Sequence, residues 1–554
     1  SLSLSLSKSS VKLSSFSLTV SPKKKKKERM KHVVLVLLLL SIFSMISSKK
    51  IVKGDKLMYV PLDERYATRG MFLNMARMTG KTVLTPSSDL LPRRKTSASP
   101  ESILSWMETN QENVSTAIVS LEMVLYGGLI ASRISNDTTS TVLKRLERFE
   151  RISKTFQNVY ISSVVMRIPS YDGDFEEPWY WEHHGKDLYD YSFYKGKFDI
   201  TGNETCRHMF EKLRESIPEN VLNEFLWRRE RNNNVSNVLL EHMRDNISLF
   251  RNAYITLDDS GTYGLNVEEA SELKNLVDVY HLSNVVRIYP GADEVGLTLL
   301  SKALSQDKTS VRIVWRVPGN ATKLIPAYEN QEINLTVRAQ LFAAGFDVVE
   351  ESSAPDLIFA VNNFEVGPQL EASQQPENPQ SDYEDFFRDS VFSSNRIPVA
   401  VADVRYANGG DRSLVKYLLS EHVQIDMQHI SYAAWNTDGN TLGTAACNGM
   451  LLSQLDSARK QESARCFTYL RFVEDLSYQS QVRNMLVSKV LADNGDVSNL
   501  TPHLREYESF VFQNLLQSAE NYSFSSALNL SYPTLKSVYF PWNRTFEIGL
   551  SVDC

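Results

Sequence analysis

The chain has 554 residues, 42% of them hydrophobic and 23% charged, with a net charge of −6. That is plain globular composition, sufficient for two or three buried cores. Outside the lysine run at 23–27 nothing is strongly basic, so no nucleic-acid partner is expected.

The first element in chain order is a leader. Residues 1–29 open on "SLSLSLS", the product of alternating TCT and CTC codons, and hold no methionine, so they are expected to be translated upstream sequence. From Met30 the sequence "MKHVVLVLLLLSIFSMISSKK" has a basic start, a 14-residue apolar stretch from Val33 to Ile46 and small residues after it, the pattern of a signal peptide over 30–48. The stretch is shorter than the roughly 20 residues that span a bilayer, so no stable membrane insertion is expected after cleavage; an uncleaved anchor flanked by Lys23–Lys27 is the competing reading. Eleven N-x-S/T sequons follow, at Asn113, Asn136, Asn203, Asn234, Asn246, Asn320, Asn334, Asn499, Asn521, Asn529 and Asn543. Together they predict an N-glycosylated protein, secreted or lumenal in an ER, Golgi or lysosome-like compartment. Of the four cysteines, Cys447 and Cys466 are slightly favoured as a disulfide pair over the alternatives with Cys206 and Cys554. None has a CxxC spacing, the nine histidines contain no HExxH, and no cysteine zinc site is expected.

Short apolar or β-branched runs then alternate with helix-like stretches: "LMYVPL" at 57, "TVLTP" at 82, "TAIVSL" at 116, "NVYISSVVM" at 158, "AYITL" at 253 and "NVVRIYPG" at 284. A second series comprises "VRIVWRV" at 311, "FDVVEE" at 346, "DLIFAVN" at 356, "IPVAVADV" at 397 and "HISYAAW" at 429. The alternation predicts an α/β protein of two parallel-sheet, Rossmann-like lobes with helices on both faces, the first at 55–305 and the second at 306–452. "GPQLEASQQPENPQSDYED" is expected as an exposed insertion in the second lobe. Residues 453–554 form a mostly helical region ending in a strand pair around "SVYFPWNRTFEIGLSV". No internal repeat is visible.

Charge recurs at the ends of the first-lobe strands: "YVPLDER", "SLEMVLYGGLIASR", "VVMRIPSYDGDFEEPWYWEHHG", "ITLDDSGTYG" and "RIYPGADEVG". In parallel α/β sheets ligands bind beyond the carboxyl ends of the strands, so these clusters are expected on one face, lining one site.

Six runs, "YVPLDER", "SLEMVLYGGLIASR", "DDSGTYGLN", "YPGADEVG", "AAWNTDGNTLGT" and "RFVEDLSYQSQVR", resemble in order the conserved blocks of a mostly bacterial domain-of-unknown-function family, number 4127, over residues 55–490. The resemblance implies no settled activity. The chain departs from the family's usual pattern with Tyr66 in place of Pro and Glu122 in place of Asp, which leaves the role of that acid open.

Paired carboxylates whose environments push their pKa values apart serve glycoside hydrolysis, and a hydrolase acting on a glycan is the expected function. Glu294, Asp259, Asp293 and Asp258 are the expected catalytic residues, with Glu294 as proton donor and Asp259 as second carboxylate. Asp63, Glu64, Arg65, Glu122, Tyr126, Arg133, Arg167, Trp179 and Asn436 are expected to bind a glycan or other small polar substrate. The arginines suit an acidic sugar or, alternatively, pair with the acids; the tryptophan suits a sugar's apolar face or, alternatively, a core. No cofactor is required, although Asp63, Asp258, Asp259, Asp293 and Glu294 as ligands for a divalent cation make an ester or phosphate hydrolase the first alternative. A non-enzymatic two-lobed sugar-binding protein is the second.

Overall fold

The computed structural model describes residues 56–305, 309–350, 354–376, 383–384, 386–387, 397–420, 427–454, 458–531 and 533–553, and Asp55–Cys554 forms one compact unit. The expected upstream segment and signal peptide lie outside the described residues. Among those described, no helix is long and apolar enough to cross a membrane.

All eleven expected strands are present. β1 (Lys56–Val60), β2 (Thr82–Leu84), β3 (Val114–Ser120), β4 (Asn158–Val165), β5 (Asn252–Leu257) and β6 (Val286–Pro290) form a parallel sheet in the order β2-β1-β3-β4-β5-β6. β7 (Thr309–Trp315), β8 (Phe346–Val348), β9 (Leu357–Asn363), β10 (Val399–Val404) and β11 (Ile430–Ala433) form a second parallel sheet in the order β11-β10-β9-β7-β8. Counted from its own first strand, the second sheet has the order of the first five strands of the first sheet. The repeat is one of topology, invisible in the residues. β5, β9 and β10 are buried along their whole length, which is why they do not alternate apolar with polar residues: helices cover both faces.

Those faces organise the core. On one side of the first sheet pack the helices Pro100–Asn110, Thr139–Ser153, Glu219–Asp245 and Leu265–Val279. On the other lie Met71–Met78 and Val295–Leu304, and their cluster continues without a break into the second lobe: Phe72 and Leu299 share it with Ala343, Trp435, Cys447 and Leu451. The helices Ile333–Ala344 and Asp438–Ser453 therefore pack the second sheet on one side and the first lobe on the other. The two lobes are joined by a largely apolar seam.

Three features differ from the sequence expectation. Between β4 and β5 the chain makes a long excursion through the helices Trp181–Thr201, Glu204–Ser216 and Glu219–Asp245, with a small apolar cluster of its own. The described part of the expected insertion is mostly exposed, as expected, but it is also anchored: Gln369 and Gln375 are buried, and their amides donate to Val404 O at 2.9 Å and Gly410 O at 2.8 Å. The Cys447–Cys466 pair does not form. Cys447 is a free, fully buried thiol on the seam face of its helix, and Cys206 is free too, whereas Cys466 is disulfide-bonded. The C-terminal region is helical, as expected, and closes with the antiparallel pair β12 (Thr534–Tyr539) and β13 (Gly549–Asp553).

Candidate active site

At the carboxyl ends of the first sheet lies a polar cavity of about 230 Å³. Each charged strand end but that of β3 sends an acid or arginine into it directly: Arg65 after β1, Arg167 after β4, Asp258 and Asp259 after β5, Asp293 after β6. Beyond β3 it is the following helix, Leu129–Ile134, that contributes Leu129 and Arg133. The strand-end clusters do converge on one face.

The arginines are paired with these acids. Arg65 donates to Asp63 at 2.8 Å and to Asp293 at 2.5 Å; Arg133 meets Glu176 at 3.3 Å, Glu177 at 3.2 Å and Asp258 at 2.5 Å; Arg167 meets Glu176 at 3.0 Å, Glu177 at 2.9 Å and Asp259 at 3.0 Å. Arg544 completes the frame on Glu176 and Glu547. Within this network the carboxyls separate. Burial pushes Asp293 up to about 6, with the nearby charge of Asp63 adding to it and Arg65 opposing. Asp259 is also raised, by burial and then by Asp258. Glu176, although burial pushes it up, is held well below the usual carboxylate range by Arg544, Arg167 and Arg133. One cavity thus holds an acid that is protonated under mildly acidic conditions and another that stays ionised, the separation on which acid–base division of labour rests.

Several expected site residues stand elsewhere. Glu294 is fully buried and does not border the cavity: it folds back to accept from Ala292 N–H at 2.9 Å and from Gln340 Nε2 at 2.7 Å. Two glycines make the room, since a Cβ on Gly291 would sit 2.1 Å from Glu294 Oε1 and one on Gly443 2.3 Å from its Cγ. Glu122 points back between β3 and β4, accepting from Ser120, Ser163 and Val164 N–H. Tyr126 lies under the guanidinium of Arg231, 5.0 Å from its ring centre. Trp179 is 61% exposed and touches Tyr180, not the cavity. Asp63 acts through Arg65 and Thr68, and Glu64 accepts from Arg94 N–H at 2.8 Å and Trp542 Nε1 at 2.7 Å in a neighbouring cleft.

The opposite wall comes from the second lobe, and of its residues only Asn436 was among the expected ones. Tyr328, Asn408 and Asn436 line it, all three with positive φ (66°, 59° and 90°), while Thr437 and Asn440 open the Asp438–Ser453 helix. Non-glycine residues held in this region need surroundings that fix them, and such strain concentrates at functional sites. Here Asn408 N–H donates to Asn436 O at 2.8 Å, tying the two together. A third contribution, Arg544 and Phe546, comes from the β12–β13 connection. That loop is clamped by the "RFVEDLSYQSQVR" segment, an 11-residue π-helix at its heart: Tyr478 donates to Thr545 O at 2.6 Å, Gln479 to Phe546 O at 2.9 Å, and Arg483 lies 4.5 Å over the Phe546 ring. Only the density of aromatic and charged residues in "PWNRTFE" marked the loop in the sequence.

Among the described residues no group of three or more His, Cys, Asp or Glu side chains is arranged to hold a metal ion. A larger groove, about 510 Å³, runs between Tyr66–Arg77 and Glu462–Leu470, but gathers none of the strand-end residues. A family model described as "Protein of unknown function (DUF4127)" matches residues 57–551. No curated protein and no solved structure matches the chain.

Proposed function

The chain belongs to the DUF4127 family, and from its cavity we propose a hydrolase acting on a glycan. The observation that carries the reading is one polar cavity in which carboxyls meet opposed environments: burial pushes Asp293 up to about 6, whereas the surrounding arginines hold Glu176 far below the usual range. Asp293 is the proton donor to the leaving oxygen. Asp259, whose side chain is 32% exposed and thus the most accessible carboxylate there, is the base or nucleophile, held by Arg167. Glu176 and its arginines form the fixed electrostatic frame. Glu294 has no part in the chemistry, because no substrate in the cavity touches it.

A cation-dependent ester or phosphate hydrolase has less support, since arginines engage the acids and no ligand group is assembled among the described residues. A two-lobed binding protein that closes on a sugar has less still: opening the lobes exposes the shared seam around Phe72, Leu299, Trp435 and Leu451. We place the protein in the secretory pathway; in support, all eleven sequon asparagines lie on described residues, nine exposed and Asn334 and Asn543 half-buried.

The test is turnover. Purified protein is incubated with defined oligosaccharides and polysaccharides at pH 5–6 and products are read by chromatography and mass. Release no greater than that of Asp293→Asn across the whole series refutes the reading.

A further inference from the structure

Resting on that reading, the two walls of the cavity differ in what they offer a ligand. The first-lobe wall presents carboxylates already bonded to arginines. The second-lobe wall presents neutral groups with unused hydrogen-bonding capacity. Asn440 is 4% exposed, and its Oδ1 accepts from Ala292 N–H at 3.2 Å and Asp293 N–H at 3.0 Å. Two backbone donors meet only an oxygen, so the amide orientation is fixed and its Nδ2 is left with no protein partner among the described residues. Thr437, 6% exposed, occupies the position before the helix, yet its hydroxyl makes no capping bond. Asn436 beside it, held at φ 90°, makes no side-chain hydrogen bond to a described residue. All three border the cavity, so these groups are open to it and free of protein partners among the described residues, which marks where a ligand's oxygens can replace water.

Size and charge define that ligand. The cavity, at about 230 Å³, falls below the ~300–1,000 Å³ of sites for drug-sized molecules, so it has room within it for about one ring. The four guanidiniums that could bind an anionic sugar, Arg65, Arg133, Arg167 and Arg544, are mostly buried and each is already paired with two or three of Asp63, Glu176, Glu177, Asp258, Asp259, Asp293 and Glu547. A neutral ring matches the remaining chemistry: hydroxyl oxygens facing Asn436, Thr437 and Asn440, hydroxyl hydrogens facing Asp258 and Asp259. We propose that the cavity takes a single neutral sugar at a chain terminus, so that the enzyme releases monosaccharides one at a time, and that Asn436, Thr437 and Asn440 determine which sugar is taken.

The experiment uses 4-nitrophenyl glycosides of common neutral sugars, the matching free monosaccharides, and oligosaccharides labelled at the reducing end. Expected are millimolar or tighter binding of one monosaccharide by calorimetry, turnover of its glycoside, and shortening of the labelled chain by one residue per step. Thr437→Val raises KM about tenfold with little change in kcat, and Thr437→Ser restores it, a split that a merely structural hydroxyl does not give. Internal fragments as first products overturn the pocket while leaving hydrolysis standing. Monosaccharide binding that weakens in Thr437→Val without turnover of any glycoside sustains the pocket and removes the hydrolase. A preference for uronic or sulfated sugars, or no binding of any monosaccharide at millimolar concentration, overturns the pocket.

Discussion

Asn440, at the start of a second-lobe helix, holds the backbone of Asp293, in the first lobe, through a 3.0 Å hydrogen bond from the Asp293 N–H to its amide oxygen. The proposed proton donor is therefore positioned from across the seam. Replacing Asn440 by Ala strands the N–H groups of Ala292 and Asp293, and the expected loss is about 1–3 kcal/mol of unfolding free energy. Asn440→Asp keeps the acceptor and is milder. Denaturant titration of both variants checks this; equal stability of Asn440→Ala and the parent shows that the seam contact is idle.

Neighbours in sequence, Asp293 and Glu294 are expected to part company in kinetics. Asp293→Asn and Asp259→Asn each lower turnover about 10²–10⁴-fold on an identified substrate, with binding retained. Glu294→Gln leaves turnover within about tenfold of the parent, and a loss as large as that of Asp293→Asn returns Glu294 to the chemistry. As the donor must carry its proton, kcat/KM falls as pH rises through about 6. An acid limb alone, with activity still rising above pH 7, removes Asp293 from the role.

Stability should also rise on acidification. Burial pushes Glu294 up to about 8, with Asp293 adding to it, while Asp403 and Glu329 are raised to about 7 and Asp293 to about 6, in each case chiefly by burial. The folded state then binds these protons more tightly than the unfolded chain. Their contribution is complete below the ordinary carboxylate range and is lost as pH climbs through about 6 to 8. Melting temperature at pH 5 is expected to exceed that at pH 8, and Glu294→Gln to flatten the slope. A melting temperature that climbs from pH 5 to 8 contradicts the assignment.

Under denaturing, non-reducing conditions a thiol reagent should label Cys206 and Cys447 and leave Cys466 unlabelled; in the native protein, where Cys206 and Cys447 are buried, neither should react. Glycosidase treatment of protein from secreting cells is expected to lower its apparent mass by several glycans. An unshifted band removes the secretory placement.

How far the sequence carried depended on the kind of signal. Uniformly buried strands such as "DLIFAVN" and "IPVAVADV" declare themselves because apolar residues follow one another without the alternation of a half-exposed strand, with Asn362, Asn363 and Asp403 confined to their carboxyl ends. That acids follow the first-lobe strands was legible too, and the cavity gathers three of them, Asp258, Asp259 and Asp293. Which way each points was not. Asp293 and Glu294 are adjacent, yet one enters the cavity while the other turns into the space left by Gly291 and Gly443, a matter of packing against a helix nearly 150 residues away. Trp179 carries the chemistry of a sugar platform but sits on an exposed turn. Arg544, Phe546, Tyr328 and Asn408 reach the site only through tertiary folding, with no local periodicity to mark them.

The loop between β12 and β13 gives biosynthesis a direction. Arg65 and Arg544, which both line the cavity, are 479 positions apart (544 − 65), and at ~5–20 residues per second roughly 25–95 s of translation separate them. Throughout that interval the nascent chain acquires both sheets while its acids and arginines await Arg544. A polypeptide halted between Ser453 and Pro541 has the strands of both sheets and no finished cavity, so the cavity is completed only as a late, discrete event.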